Sequence, residues 1–303
     1  MTKILLTGKN GQLGWELRRT LVPLGEVVVL NRDEMDLANP DSIRTAIRRI
    51  QPDLIVNAAA YTAVDQAESE PQLAMAINGL APGIMAEEAK RQNAGIIHFS
   101  TDYVFDGTAD RPYREDDTLN PLNVYGKTKL AGERAIQAAG VPHLILRTSW
   151  LYAARGRNFL LTILRLAGER KELKIVDDQI GTPTWSRLLA EITYQIVTQF
   201  ISPRSRPVVQ MAETSGIYHA VSAGSASWYG FAKKILEIAH DHVVREMPKL
   251  IPIATSDYPL PAARPRNSCL SNEKITRTFG LAVPSWEESL TLCLNELYGK
   301  QVT

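Results

Sequence analysis

Ile4-Leu5-Leu6-Thr7-Gly8-Lys9-Asn10-Gly11-Gln12-Leu13-Gly14 is the stretch that decides the fold. The apolar run reads as a buried parallel strand, the glycines as a tight turn, and the residues that follow as a helix through about Pro23. Strand, glycine-rich turn and helix in that order are the setting of a dinucleotide fingerprint. Lacking side chains, Gly8, Gly11 and Gly14 let a pyrophosphate reach the backbone and let the helix pack on the strand. Unpaired N–H groups at the helix start then face the phosphates. The spacing Gly-x-x-Gly-x-x-Gly is one residue longer at the front than Gly-x-Gly-x-x-Gly, and a purely structural turn is the competing reading.

Outward from there, Glu26-Val27-Val28-Val29-Leu30 is a second strand whose tip carries Asn31-Arg32-Asp33. An acidic residue at such a tip selects the free 2′-hydroxyl of NAD, whereas Arg accepts the 2′-phosphate of NADP. Asn31 with Arg32 beside it favours NADPH and leaves NADH open. Asp36-Leu37 opens the turn into a helix over Pro40 to Ile50, as an adenine-edge site or as a simple helix cap. Asp53 to Ala60 is a third buried strand. Its end, Ala58-Ala59-Ala60, lets a cofactor lie against the backbone or lets a helix pack close. In the polar loop Tyr61 to Glu70, Asp65 and Glu68 read as solvated or capping. Asn78 falls within one helix expected over Pro71 to Gln92, placed to hold a water near the catalytic pair described next.

Gly95-Ile96-Ile97-His98-Phe99 runs into Ser100-Thr101-Asp102, a strand whose end offers hydroxyls to a bound carbonyl. Further on, Tyr125 and Lys129 stand four apart and share a helix face. A phenol titrates near ~10. An ammonium one turn away is expected to lower that value, which would make Tyr125 a general acid/base. His143 to Trp150 adds a strand whose tip, Thr148-Ser149-Trp150, should face the same crevice. The alternation of strand and helix predicts an α/β fold with a doubly wound, Rossmann-like parallel sheet.

Composition narrows the function classes. The 303 residues are 45% hydrophobic and 22% charged, with a net charge of +1, so no electrostatic case exists for nucleic acid or an anionic membrane. No apolar run approaches the ~20 residues of a membrane span. The chain enters a strand at Lys3, which leaves no room for a signal peptide, and Cys269 and Cys293 form neither a metal spacing nor a disulfide framework. A cytoplasmic protein with free buried thiols is expected. The five histidines (His98, His143, His219, His240 and His242) sit at no metal spacing and are assigned no chemistry.

Gly8-x-x-Gly11-x-x-Gly14, Asn57-Ala58-Ala59-Ala60, Ser100-Thr101 and Tyr125-x-x-x-Lys129, in this order, resemble the extended short-chain dehydrogenase/reductases. Longer strings (Val56 to Asp65, Ser100 to Phe105, Asn120 to Lys127, Arg147 to Trp150, Asp178 to Thr184, Arg264 to Ser268) resemble the branch of that family that reduces dTDP-linked 4-keto-deoxysugars, and the likeness runs end to end. It implies NADPH, or NADH, as hydride donor to the C4 ketone of dTDP-4-dehydro-L-rhamnose, giving dTDP-L-rhamnose, an O-antigen precursor. By position it implies Tyr125 as proton donor, Lys129 on the nicotinamide ribose, and Thr101 on the C4 oxygen. Asp102, Tyr103 and Trp150 match sugar-contacting positions. Gln12, Leu13, Asp36, Leu37, Ala60, Tyr61 and Thr62 match nucleotide-contacting ones. Some members bridge a dimer through Mg²⁺ held by glutamates. Glu16 and Glu287 would correspond, but Arg187 takes the third position and would repel the ion, so no metal is assigned and a monomer or homodimer is expected. Two other functions fit the same residues: an extended reductase or epimerase on another nucleotide sugar, and a non-catalytic subunit resembling the regulatory β subunit of methionine adenosyltransferase.

In the second half, Asn158 to Arg170 is amphipathic, with Phe159, Ile163, Leu166 and Ala167 on one stripe. Lys174-Ile175-Val176 reads as a strand, Arg187 to Phe200 as a helix, Ser202 to Pro207 as a polar loop, and Gly216 to Val221 as a returning strand of the main sheet. A Ser-capped helix starts at Ser225 to Tyr229. From Ile251 the chain is Pro-rich, then helical over Pro284 to Tyr298. These elements predict a dinucleotide-binding domain over 1–154, with returning pieces near 183–223, and a smaller, mainly helical substrate lobe from 155–182 and 224–303. A diphosphate needs cationic donors, and Arg264, in a loop stiffened by prolines, is the candidate; a structural Arg–carboxylate pair is the alternative.

Overall fold

The computed structural model describes residues 1–201, 207–243 and 247–299. Its centre is a six-stranded parallel sheet. Five strands come from the first half: β1 (Lys3–Thr7), β2 (Glu26–Val29), β3 (Leu54–Asn57), β4 (Gly95–Thr101) and β5 (His143–Thr148); Gly216–His219 returns as the sixth. Across the sheet the order is Gly216–His219, β5, β4, β3, β1, β2. The order reverses between β1 and β3, so a crevice opens outside their carboxyl ends.

Continuous apolar runs become central strands because helices cover both faces of a parallel sheet. In β1, Leu5 packs on one side with Ile55, Ile96 and Ile145 of the neighbouring strands. Ile4 and Leu6 pack on the other with Val56, Ile97, Leu144 and Leu146. The first side is covered by α2 (Pro40–Ile50), α5 (Ala81–Arg91) and α6 (Val124–Ala139), the second by α1 (Gln12–Leu21) and the helix Ser186–Phe200. Asn39 starts α2 by accepting from the amides of Asp41 and Ser42, with Pro40 in the first turn, and Ile43, Ala46, Ile47 and Ile50 form the buried stripe.

Between β3 and β4 the expected single helix is broken into three. α3 (Val64–Ala67) and α4 (Pro71–Met75) lead into a π-helical turn at Ala76–Leu80, and only then does α5 begin. The extra residue in that turn aims the Asn78 side chain inward, where it is 1% exposed. Asn78 Oδ1 accepts from Tyr61 N at 2.8 Å, and its Nδ2 donates to Tyr61 O at 3.0 Å and to Thr128 Oγ1 at 3.3 Å. Both hydrogens of its amide are thus given to protein acceptors.

The second half adds short strand pairs to its helices. Glu172–Val176 pairs in parallel with Lys249–Ile253, and Ile180–Gly181 pairs antiparallel with Ala226–Ser227. In the helix Phe159–Glu169 the buried stripe is Leu160, Ile163, Leu164 and Ala167, a one-residue rotation that leaves Phe159 and Leu166 partly covered. Ser227 caps the helix Trp228–Val243 by accepting from Gly230 N at 2.9 Å. A helix over Glu273–Phe279 precedes Trp286–Tyr298 and was not expected. The polar loop read at Ser202 to Pro207 lies, apart from Pro207, outside the described residues. No helix among the described residues is long and apolar enough to cross a membrane. Both cysteines are free and buried.

An ion pair sits fully inside this core. Arg147 of β5, 0% exposed, meets Glu133 of α6, 1% exposed, through Nε–Oε1 at 3.0 Å and Nη2–Oε2 at 2.7 Å. Glu133→Gln should leave the guanidinium uncompensated in a dry site and lower unfolding free energy by about 3–5 kcal/mol. A reduced urea midpoint at unchanged slope is the expected reading.

Candidate active site

Three chain segments converge at the carboxyl end of the sheet. After β1, Gly11 N bonds back to Gly8 O at 2.9 Å, which closes the glycine turn. Gly8 sits at φ +77°, and a Cβ there would lie 2.8 Å from the backbone of Ala58 and Ala59. Only glycine fits between the two strand ends. The following helix, α1, starts at Gly11 with no side-chain cap and no acidic residue in its first turn, so its N–H groups and dipole stay available to an anion.

A cavity of about 550 Å³ opens over this turn. Its wall includes Gly8, Asn10, Gly11, Asn31, Arg32, Asp36, Leu37, Ala59, Ala60, Tyr61 and Thr62, all expected from the sequence, and also Lys9, Leu30, Met35, Gln66, Glu70, Leu73 and Ile77, which were not. Leu30 and Met35 follow β2, whereas Leu73 and Ile77 come from α4 and the π-helical turn, whose geometry is not written in local sequence. Gln12, Leu13, Gly14 and Ala58 lie beside the cavity wall. Leu13 is 6% exposed within the core, and Gln12 Oε1 accepts from Asn158 Nδ2 at 2.8 Å. Asn31 and Glu34 cap each other's amides. Arg32 is exposed, 3.8 Å from Asp36, and Lys9 stands 3.7 Å from Glu34. A glycine cradle at a bare helix start, two cations and an apolar slot fit a phosphorylated dinucleotide.

The second group surrounds the end of β4 and the start of α6. Asn123 caps α6 by accepting from Gly126 N at 2.8 Å, and Glu68 accepts from Val124 N at 2.8 Å. A Cβ on Gly126 would fall 2.1 Å from Tyr103 O, so the bare glycine lets α6 lie directly on the turn after β4. Tyr125 is thereby brought against that turn, in hydrogen-bonding contact with Thr101 and edge-on to the Tyr103 ring at 5.9 Å. Thr101 Oγ1 donates to Asp102 Oδ1 at 2.8 Å and accepts from Tyr103 N at 3.1 Å. Burial pushes the Tyr125 phenol up to about 12, the Asp102 charge adds to this, and the Thr101 hydrogen bond opposes it. The expected lowering by Lys129 is not what this structure displays. Lys129, 1% exposed, donates to Phe99 O at 2.6 Å and lies 3.1 Å from His98 Nε2. Burial, opposed by Glu133, pulls the Lys129 amine down to about 8. Burial raises the Tyr103 phenol as well.

The remaining expected residues come from the second half. Trp150, at φ +45°, ends β5 and stacks on Trp228 with centroids 3.5 Å apart and planes 5° apart. Arg264 is held by Asp65 through bonds of 3.0 and 2.7 Å, the structural Arg–carboxylate pair left open by the sequence. Asp65 also accepts from Ala262 N at 3.2 Å, and Asn123 Nδ2 donates to Ala263 O at 2.8 Å, so this loop is tied to both the α3 turn and α6. Trp228, His98 and Asp65 were not read as site residues; an aromatic first turn, a strand histidine and a loop carboxylate carry no specific signal. Arg187 is bonded to Glu16 at 3.2 Å and to Glu296, instead of Glu287, at 2.6 Å.

Fold and site define a nicotinamide-dependent oxidoreductase of the extended short-chain dehydrogenase/reductase type. The family model of the RmlD substrate binding domain matches residues 1–299. A dTDP-4-dehydrorhamnose reductase of Burkholderia thailandensis is 48% identical over 298 residues, spanning 97% of this chain and 99% of the relative. That of Escherichia coli K12 is 45% identical over 300 residues, 97% and 98% of the two chains. The crystal structure of the Bacillus anthracis dTDP-4-dehydrorhamnose reductase in complex with NADP superposes with a TM-score of 0.88 at 34% identity, over 98% of this chain and 100% of that one. The chain belongs to the dTDP-4-dehydrorhamnose reductase family.

Asp102 yields a test that needs no substrate. Burial pushes its carboxyl up to about 7, so between its unfolded value of ~4 and 7 the native chain holds a proton that the unfolded chain has released. Its contribution to stability is whole below that window and is lost as pH rises through it. Relative to Asp102→Asn, the wild-type chain should lose on the order of 4 kcal/mol across the window. Urea unfolding at a series of pH values checks this.

Proposed function

We propose that the chain reduces the C4 ketone of dTDP-4-dehydro-L-rhamnose to dTDP-L-rhamnose with NADPH as the preferred donor and Tyr125 as the proton donor. The observation that carries this reading is the Tyr125–Thr101 contact, built on a buried carboxylate at the mouth of a dinucleotide-shaped crevice. When bound, the nicotinamide supplies the hydride.

The chain's own residues do the rest. Tyr125 holds its proton firmly at neutral pH, so it works as an acid: it keeps the phenol intact until charge grows on the C4 oxygen, then gives the proton up. Thr101, turning its hydroxyl from Asp102, steadies the same oxygen. Lys129, as an ammonium, stabilises the phenolate left behind and holds the ribose. Asp102, Tyr103 and Trp150 are read as the sugar wall, with Trp228 backing Trp150. The pieces 155–182 and 224–303 are read as the lobe that holds the sugar nucleotide. Arg264 serves the diphosphate in this reading only by exchanging its Asp65 partner for it. Arg32 and Lys9 border the adenosine end of the cavity and favour a 2′-phosphate. We place the enzyme in the cytoplasm, where buried free thiols stay reduced.

Tyr125→Phe should lower kcat by about 10²- to 10⁴-fold while NADPH binding, followed by nucleotide fluorescence, stays intact; full turnover would sink the assignment. Net NADPH oxidation in step with the 4-keto sugar, stronger with dTDP- than UDP-linked substrate, separates this reaction from epimerisation. Arg32→Ala should weaken NADPH about tenfold and leave NADH unchanged, as titration of each nucleotide would show.

A further inference from the structure

A chain of buried hydrogen bonds runs from the cofactor crevice to Lys129 through a histidine to which the sequence assigned no role. Ala59 N, at the crevice wall, donates to Thr7 Oγ1 at 3.2 Å and to Asn57 Oδ1 at 3.3 Å. Thr7 Oγ1 donates to the same Asn57 oxygen at 2.7 Å. Asn57 Nδ2 lies 3.0 Å from His98 Nδ1, and His98 Nε2 lies 3.1 Å from Lys129 Nζ. Thr7, Asn57, His98 and Lys129 are 2%, 0%, 1% and 1% exposed, so no water substitutes for these partners.

The polarity of the chain follows from its first link. A backbone N–H can only donate, so the Asn57 atom facing Ala59 is the oxygen and the one facing His98 is the NH₂. His98 Nδ1 must then accept, and a neutral imidazole that accepts at Nδ1 carries its proton on Nε2. That N–H points at Lys129 Nζ. An ammonium has three donors and no lone pair, so it would set donor against donor; an amine accepts from Nε2–H and still donates to Phe99 O.

We propose that His98 is a positioning residue for Lys129, locked as the Nε2–H tautomer by a hydrogen-bond chain from the cofactor crevice, which holds the lysine as a neutral amine until the cofactor binds. It rests on the reading of Lys129 as the lysine of the cofactor site. Filling the crevice at Ala59 releases the first link of the chain, so that the Asn57 amide and the imidazole tautomer can invert and Nε2 can accept from an ammonium. Loading is then coupled to uptake of one proton from solvent at Nζ, and the cation that Tyr125 needs exists only in the loaded enzyme. Of the groups around Lys129, Glu133 on its own helix opposes the neutral amine but is engaged by Arg147, and Tyr125 holds its proton. In the turn after β4, burial pushes the Asp102 carboxyl up to about 7 and raises the Tyr103 phenol. α4 and the π-helical turn bring no charged residue, and α5 brings Glu88, which is engaged by Arg48 and Arg91. Burial alone moves Lys129 in the same direction, and holds His98 well below its usual range.

The test begins on the cofactor-free protein. Long-range ¹H–¹⁵N spectra at about pH 8 should show His98 protonated on Nε2 and bare on Nδ1, with Lys129 Nζ resonating as an amine and becoming an ammonium on addition of NADPH. A proton on His98 Nδ1, or an ammonium before NADPH is added, overturns the proposal. Calorimetry in buffers of different ionisation enthalpy should show about one proton taken up per NADPH bound. His98→Phe should lose more than half of that uptake, and His98→Gln, whose amide can donate from the same place, should restore most of it. Undiminished uptake in His98→Phe overturns the proposal as well. The spectra of the wild-type protein decide the matter even if that variant fails to fold. Absence of turnover alongside the expected tautomer would sink the reductase reading and leave this one standing.

Discussion

The Glu133–Arg147 ion pair fixes the rotation of α6, and the rest of the site depends on that rotation. Tyr125, Lys129 and Glu133 are spaced by four and therefore stack on one face, one turn apart. The buried bidentate contact at one end of that stripe holds the helix to β5, with both partners out of water. A helix free to roll by a few tens of degrees would carry the phenol away from Thr101 and the amine away from Phe99. At the other end of the stripe the missing side chain of Gly126 lets the backbones of α6 and the Tyr103 turn touch. A fixed rotation and a close approach together place the reacting side chains.

Burial acts on these side chains more strongly than their charged neighbours do. Spacing alone treats Tyr125 and Lys129 as a pair in which the cation acidifies the phenol. Lys129 is buried and Tyr125 partly so, and desolvation disfavours the charged form of each. Burial thus draws the phenol, the amine and the Asp102 carboxyl each toward its uncharged form. In the arrangement proposed above the lysine's charge arrives with the cofactor, when there is a developing negative oxygen to meet it.

The sheet was legible in the sequence because parallel strands buried on both faces read as uninterrupted apolar runs, and β1, β3, β4 and β5 all do. The start of α2 at Pro40 was legible, but the cap read there was Asp36 where the structure uses Asn39, and the Asn123 cap of α6 was not read. The glycine turn and the Tyr–Lys pair identified the crevice because their spacing maps directly onto turn and helix geometry. What stayed hidden was set by tertiary contact. Nothing in Ala76-Ile77-Asn78-Gly79-Leu80 announces a π-helical turn, since that distortion comes from packing against α6. The rotated stripe of Phe159–Glu169 is decided by which neighbours the helix meets. Arg264 could be named as a cation near the site, but its partner Asp65 lies 199 residues away along the chain.

Trp150 and Trp228 lie flat on one another, one at the tip of β5 and the other at the start of a helix from the last third of the chain. Parallel rings at that separation slide far more easily than they part. A crevice that must admit a bulky nucleotide sugar can therefore give way by shear, one indole gliding across the other, without losing the dispersion that holds the joint closed. Entry and retention of substrate become a matter of lateral play and not of a swinging door.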